Sequence, residues 1–158
     1  YNTTKLTQVT IDNVKTIGNH AFNWSHLTDV KIPNVTTVED YAFERSALTT
    51  ITGMDKIESI GSYAFSNSEI TSVMLPNTLT YVGDYSFSST KLTSVEVPSS
   101  VTTLGDCVFY NCRNITNAIV NCKTIPSNTF ADCRLFPHLS HGVVFYSHLH
   151  CQKQTDLL

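Results

Sequence analysis

The chain repeats a pattern of apolar and polar positions. Residues 60–76 read IGSYAFSNSEITSVMLP and residues 82–98 read VGDYSFSSTKLTSVEVP, so the two segments match position by position. In the second half of each segment apolar residues alternate with polar ones, which predicts a short strand with one buried face. The first half, up to the phenylalanine, predicts a short helical turn or an irregular arc that returns the chain to the start of the next strand.

The same pattern continues along most of the chain. Its strongest marker is a phenylalanine every 21 or 22 residues, at Phe22, Phe43, Phe65, Phe87, Phe109 and Phe130. Aliphatic residues follow at fixed distances, first at Leu27, Leu48, Ile70 and Leu92, then at Val30, Ile51, Val73 and Val95. One such coil cannot bury its own apolar residues, whereas a stack of coils buries them continuously. The pattern therefore predicts a solenoid whose phenylalanines point inward and whose strands run parallel.

A period of 20–29 residues with this aliphatic spacing is typical of leucine-rich repeats. The phenylalanine, glycine and proline positions resemble the BspA-like leucine-rich repeat family over residues 1–135. The small residue before the aliphatic position fits as well, because the family commonly has cysteine there and this chain has Ser25, Ser46, Ser68, Thr90, Cys112 and Cys133. We predict a leucine-rich repeat solenoid, with a parallel β-sheet of short strands on the concave face and short helical turns or irregular arcs on the convex face.

The predicted solenoid spans residues 1–135, in about six coils of 21–22 residues, and starts in the middle of a coil. Gly53 and Met54 replace the aliphatic–proline pair in one coil, and another coil ends in AIVNC, so both are expected to be distorted. The pattern stops after Leu135. Residues 136–158 are predicted to be a non-repeat tail, either a partial cap over the last coil or a disordered segment.

Composition and charge narrow the function classes. The net charge is −3 and no run of lysines or arginines is present, which argues against nucleic-acid binding. The apolar runs are a few residues long, so this segment is not expected to insert into a membrane. No signal peptide is visible, which agrees with the expectation that the sequence is a segment of a larger protein.

Candidate chemistry is sparse. The sequence has no nucleophile elbow, phosphate loop or HExxH motif, so we predict that the protein is not an enzyme and uses no cofactor. Asp29 and Glu96 are several coils apart, too distant for an acid–base pair. The tail contains a cluster that could supply zinc ligands, at His138, His141, His148, His150 and Cys151. Its spacing matches no zinc template, so a capping or disordered tail is the preferred interpretation.

Residues at equivalent positions of successive coils form columns along the predicted stack, and two further columns follow from the repeat. Equivalent positions hold His20, Tyr41, Tyr63, Tyr85 and Cys107, which either stack between coils or form an aromatic binding stripe. Cys112 and Cys133 share a position in adjacent coils, about 5 Å apart at strand spacing. Parallel Cβ vectors fit a disulfide poorly, so these two and Cys122 are predicted to be buried free thiols.

The remaining surface is the row of strand residues that point outward. Curved solenoids use such faces to bind proteins, and the family resemblance implies adhesion, a cell-surface or extracellular location, and host or matrix proteins as partners. The alternatives are a structural spacer in a surface protein and an intracellular scaffold. Ser66 is expected to face solvent on the opposite side. The candidate binding residues are Gln8, Thr10, Asp29, Lys31, Thr50, Thr52, Ser72, Met74, Ser94, Glu96, Asn117 and Ile119.

Overall fold

The computed structural model describes residues 6–133, which form a parallel β-solenoid of about five turns. The predicted tail and the first five and last two residues of the predicted solenoid lie outside the described residues. Ten short strands are present in the described part, namely β1 (Gln8–Thr10), β2 (Thr16–Ile17), β3 (Asp29–Lys31), β4 (Thr37–Val38), β5 (Thr50–Thr52), β6 (Ser59–Ile60), β7 (Tyr81–Val82), β8 (Ser94–Val97), β9 (Thr103–Leu104) and β10 (Asn117–Val120).

The strands form two rows along the stack. One row contains the sheets β1-β3-β5 and β8-β10, and the other is a five-stranded sheet in the order β2-β4-β6-β7-β9. All pairs are parallel and in register: Val9, Val30 and Ile51 are aligned in the first row, for example. The predicted parallel arrangement is confirmed, because each coil enters the stack in the same direction.

The phenylalanines form the centre of the core. Phe43, Phe65, Phe87 and Phe109 are fully buried, and Phe22 is half-buried at the start of the column. Neighbouring rings in the column are stacked, with centroids 5.1–5.7 Å apart. The predicted inward placement of this position is therefore confirmed, and each ring covers the apolar faces of the rings in adjacent coils.

The described residues contain no helix, so the helical form of the predicted return segment is wrong and the irregular arc is the form adopted. Backbone donors in this arc alternate between two kinds of acceptor. The N–H groups of Tyr41 and Phe43 donate to the next coil, whereas those of Glu44 and Ser46 donate three residues back within their own coil. Tyr41 also has a left-handed φ of 57°. A helix needs a continuous internal ladder, and the bonds between coils replace that ladder here.

The predicted strand at residues 70–76 is also wrong, although its neighbour at residues 92–98 contains β8. Among the described residues, none hydrogen-bonds to a backbone N–H of residues 72–75. The preceding coil has Gly53, with φ of 75°, where other coils have a buried aliphatic residue, and Met54 is buried beside it. β5 ends at Thr52, one residue before Gly53, and residues 72–75 do not add a fourth strand to the sheet β1-β3-β5.

Two other expectations require correction. The coil that ends in AIVNC is regular, because β10 pairs with all four residues of β8 and Val120 fills the apolar position. Ser66 does not face solvent: it is 1% exposed, and its hydroxyl lies 2.8 Å from that of Ser88 in the next coil. The arc turns this serine inward beside Phe65, so it cannot serve as a surface control.

Candidate functional site

The strand face, which we define as the twelve outward positions named above, is open to solvent. Ten of the twelve side chains are exposed, and Asp29 and Ile119 are half-buried. The buried residues between them, such as Val30 and Val95, point into the core. This alternation is the expected result of a strand with one buried face. The role of the twelve residues in binding stays a prediction.

The break at residues 72–75 divides this face into two patches. The first patch lies on β1, β3 and β5, and its residues line a shallow depression of about 340 Å³: Gln8, Thr10, Asp29, Lys31, Thr50 and Thr52. The last patch lies on β8 and β10 and contains Ser94, Glu96, Asn117 and Ile119. Ser72 and Met74 lie between the patches, outside any strand. The sequence predicted one continuous face, whereas the structure brings together six residues in the first patch and four in the last.

The charges on this face are not neutralised by ion pairs. In the described part of the chain, one salt bridge is formed, between Arg45 and Glu44, and it lies off the strand face. Asp29 accepts a hydrogen bond from the Thr28 hydroxyl at 2.7 Å, and Glu96 accepts one from the Asn121 amide at 3.2 Å. Lys31 is exposed. Acidic and basic groups of this face therefore remain accessible to a ligand.

Met74 is the most exposed large apolar side chain of the described residues, at 83%. It lies at the position that follows Thr52 in the outward column, between the two polar patches. A methionine side chain is flexible and polarizable, so it adapts to irregular apolar surfaces. An exposed apolar residue in the middle of a polar face resembles the composition of a protein interface, where a small apolar centre has a polar rim.

A family model matches most of the repeated part of the chain. The model of the BspA type leucine-rich repeat region matches residues 1–116 in six copies. The chain belongs to this family. The predicted resemblance is thus confirmed, and the fold has the strand row that leucine-rich repeats commonly use for protein contacts.

Three solved structures share the fold of this BspA-type chain. A leucine-rich repeat protein from Bacteroides ovatus ATCC 8483 has a TM-score of 0.69 at 23% identity, covering 88% of this chain and 45% of that one. A leucine-rich repeat protein from Eubacterium ventriosum ATCC 27560 has a TM-score of 0.67 at 28% identity, with coverages of 78% and 32%. A leucine-rich cell surface protein from Faecalibacterium prausnitzii A2-165 has a TM-score of 0.54 at 23% identity, with coverages of 78% and 41%.

The chain thus spans less than half the length of each of these three relatives. The search of curated proteins gave no match. Within the described residues, no helix is long and apolar enough to cross a membrane.

The aromatic column of this BspA-type solenoid is a stack between coils. The rings of His20, Tyr41, Tyr63 and Tyr85 lie 4.8–5.0 Å apart with planes within 6°. Each inner ring has both faces covered by its neighbours, so it offers only its edge to a ligand. At the end of the column, a hydrogen bond with the Cys107 thiol is the main cause that raises the pKa of Tyr85 to about 12. This geometry favours the stacking interpretation over a binding stripe for flat ligands.

The cysteines of the repeat are buried. Cys112, Cys122 and Cys133 have free thiols, and Cys112 and Cys133 donate to carbonyls of the Phe87 and Phe109 coils at 3.0 and 2.9 Å. Burial raises the pKa of all three and brings that of Cys133 to about 12. Among the described residues, no group of three or more histidine, cysteine or acidic side chains could hold a metal ion. The histidine cluster of the predicted tail lies outside those residues.

These thiols should resist modification in the folded protein. In a Cys107→Ser, Cys151→Ser background, we expect Cys112, Cys122 and Cys133 to react with an aromatic disulfide reagent at about pH 8 only after unfolding, because a buried neutral thiol is not the reactive thiolate. Absorbance of the released thiolate before and after adding guanidinium chloride measures the reactive fraction. Rapid labelling of the native protein would contradict the buried placement.

A column of threonines beside the strand face was not predicted from the sequence. Six consecutive coils have one at the position after the aliphatic residue: Thr7, Thr28, Thr49, Thr71, Thr93 and Thr116. The hydroxyl of Thr49 donates to the carbonyl of Thr28 at 3.0 Å, and that of Thr116 donates to the carbonyl of Thr93 at 3.3 Å. The Thr28 hydroxyl lies 2.7 Å from the Asp29 carboxylate and 3.1 Å from the Thr7 carbonyl, so its single proton is shared between them. The recurrence is visible in the sequence. The hydroxyls add side-chain hydrogen bonds between coils to carbonyls, such as that of Thr28, that already accept backbone N–H groups of the next coil.

Proposed function

We propose that this segment is a protein-interaction and adhesion module of a larger cell-surface or secreted protein, and that it binds through the strand face. The observation that carries the proposal is the arrangement of this face: two polar patches with accessible charges flank Met74, which is 83% exposed. BspA-type repeats are commonly interaction modules rather than enzymes, which supports the proposal. The name of the Faecalibacterium prausnitzii relative supports a surface location.

A large charged side chain in the middle of the face should block such binding. Ser72 and Ser94 are exposed and point outward near Met74, so we expect Ser72→Arg or Ser94→Arg to abolish partner binding without unfolding the solenoid. Peptides selected from a random phage-displayed library on the parent protein serve as the probe. Their binding is compared by interferometry, and folding is checked by circular dichroism.

Ser99→Arg is the matched control. Ser99 is exposed in the same coil as Ser94 but follows the strand and lies off the strand face, so this variant should bind the selected peptides as the parent does. Equal loss of binding in Ser99→Arg and Ser94→Arg would move the site away from the strand face. Undiminished binding by Ser72→Arg and Ser94→Arg, together with no binding at the first patch, would leave the spacer interpretation as the better one.

A further inference from the structure

The first patch has an unpaired acid and an unpaired base on its central strand. Asp29 and Lys31 are two positions apart on β3, so both side chains point outward from the floor of the depression. The registered neighbours on either side are neutral, with Gln8 and Thr50 beside Asp29 and Thr10 and Thr52 beside Lys31. Asp29 has the Thr28 hydroxyl as its hydrogen-bond donor, and neither charge forms an ion pair with a described residue.

The spacing of these charges defines what can neutralise both at once. The backbones of residues two apart on a strand are about 6.6–6.8 Å apart, and in this structure Asp29 and Lys31 form no ion pair with each other. A second extended chain has the same two-residue period, so a base and an acid two positions apart on it meet Asp29 and Lys31 together. Packed strands lie about 10 Å apart, a distance that a lysine or arginine side chain facing a carboxylate can span.

The neutral neighbours make this pair of charges selective. A segment with two bases or two acids at that spacing places one like charge against the patch, which is unfavourable. A segment with its base and acid adjacent directs one of them to its opposite face. The shallow depression and the small threonine side chains around Lys31 leave room for an extended backbone above β3.

We propose that the first patch binds an extended polypeptide segment that carries a basic and an acidic side chain two positions apart. This inference rests on the proposed function, and it identifies the half of the strand face that selects the partner and the chemistry of the partner segment. A segment of either direction along β3 fits, since reversal of the chain exchanges the positions of its base and acid.

Nuclear magnetic resonance titration with short synthetic peptides tests the inference. The probe is a nine-residue polythreonine peptide in which one lysine and one glutamate are two positions apart, and the control peptides have them adjacent or have two lysines or two glutamates. We expect the probe to shift the amide signals of β1, β3 and β5 and to bind more tightly than each control peptide. Each exposed ion pair raises the affinity about two- to fivefold. A higher salt concentration should reduce the difference in affinity between the probe and the control peptides.

Charge reversal gives a second measurement on the same probe. Asp29→Lys and Lys31→Asp should each weaken binding about two- to fivefold. The double variant should recover it, because the peptide can bind in the opposite direction. Glu58→Lys is the matched control, because Glu58 is exposed beside β6 in the five-stranded sheet, off the strand face, and reversal of its charge should leave binding unchanged. Equal binding of the probe and the adjacent-charge peptide, or single variants that bind as the parent does, would overturn the inference.

The two proposals fail in different ways. If the charge variants have no effect while Ser94→Arg still abolishes binding of the selected phage peptides, the strand face is the binding surface and the charge-pair selectivity is wrong. If Ser72→Arg and Ser94→Arg bind the selected peptides normally while the probe binds the first patch as described, the site is confined to the first patch. Absence of both effects would contradict both proposals.

Discussion

Phe65→Ala is expected to lower the free energy of unfolding by about 3–5 kcal/mol, the usual cost of removing a buried phenylalanine. The Phe65 ring is fully buried and lies between those of Phe43 and Phe87, with centroids 5.3 and 5.1 Å away. Its removal takes away two ring contacts and leaves a cavity between adjacent coils. Urea denaturation monitored by circular dichroism measures the loss, and Phe87→Ala should behave similarly.

Phe22→Ala provides the matched control, because Phe22 is half-buried and stacks in the described structure on Phe43 alone. We expect a clearly smaller loss of unfolding free energy for Phe22→Ala, since removal of a half-buried ring leaves a smaller cavity. A melting temperature of Phe65→Ala within about a degree of the parent would show that the column does not hold the coils together. Equal losses at Phe22 and Phe65 would show that position along the stack does not matter.

The column of phenylalanines could be predicted from the sequence because its cause is local and repeated. Each coil places a large apolar residue at the same position, and a coil cannot bury it without a neighbour. The parallel strands follow for the same reason. These features depend on the period of the pattern, which one sequence displays completely.

The missing strand at residues 72–75 could not be predicted in this way. ITSVMLP and LTSVEVP have the same alternation, yet only the second contains a strand, β8. Strand formation requires hydrogen bonds to the next coil, and the coil before residues 72–75 contains Gly53. The alternation within residues 70–76 does not show whether those hydrogen bonds form, because they depend on the adjacent coils, where β5 lies on one side and β8 on the other.

The candidate site also has features that the sequence predicts and features that depend on contacts between coils. The outward direction of Asp29 and Lys31 follows from their positions around Val30. Their grouping with four residues of two other coils depends on pairing of β1, β3 and β5. The separation of this patch from Ser94 and Glu96 depends on the break between them. Alternation along one strand predicts which side chains face solvent, whereas the extent of a surface depends on contacts between coils.

Glycine residues set the distance between coils on the side of the five-stranded sheet, and Gly83→Ala is expected to lower the free energy of unfolding by about 1–3 kcal/mol through overpacking. A Cβ atom at Gly83 would lie 2.5 Å from the backbone nitrogen of Ser62 and 2.7 Å from the carbonyl carbon of Gly61. Both atoms belong to the backbone of the preceding coil, so neither can rotate away. The coils must separate, which weakens the bond from Gly83 N–H to the Ile60 carbonyl at 2.8 Å.

Gly18→Ala is the control at the same position of an earlier coil. Among the described residues, the nearest atom to a Cβ there is the Glu39 Oε2 at 3.7 Å, an ordinary contact. We expect this variant to be neutral or more stable by about 0.4–1 kcal/mol, because alanine restricts the unfolded chain. Glu39 occupies the equivalent position one coil later, and its carboxylate accepts a hydrogen bond from the Asn19 N–H at 2.9 Å. Thermal melts measure both effects. If Gly83→Ala and Gly18→Ala changed the melting temperature equally, the close approach of the Gly83 and Ser62 backbones would not be the reason for glycine at this position.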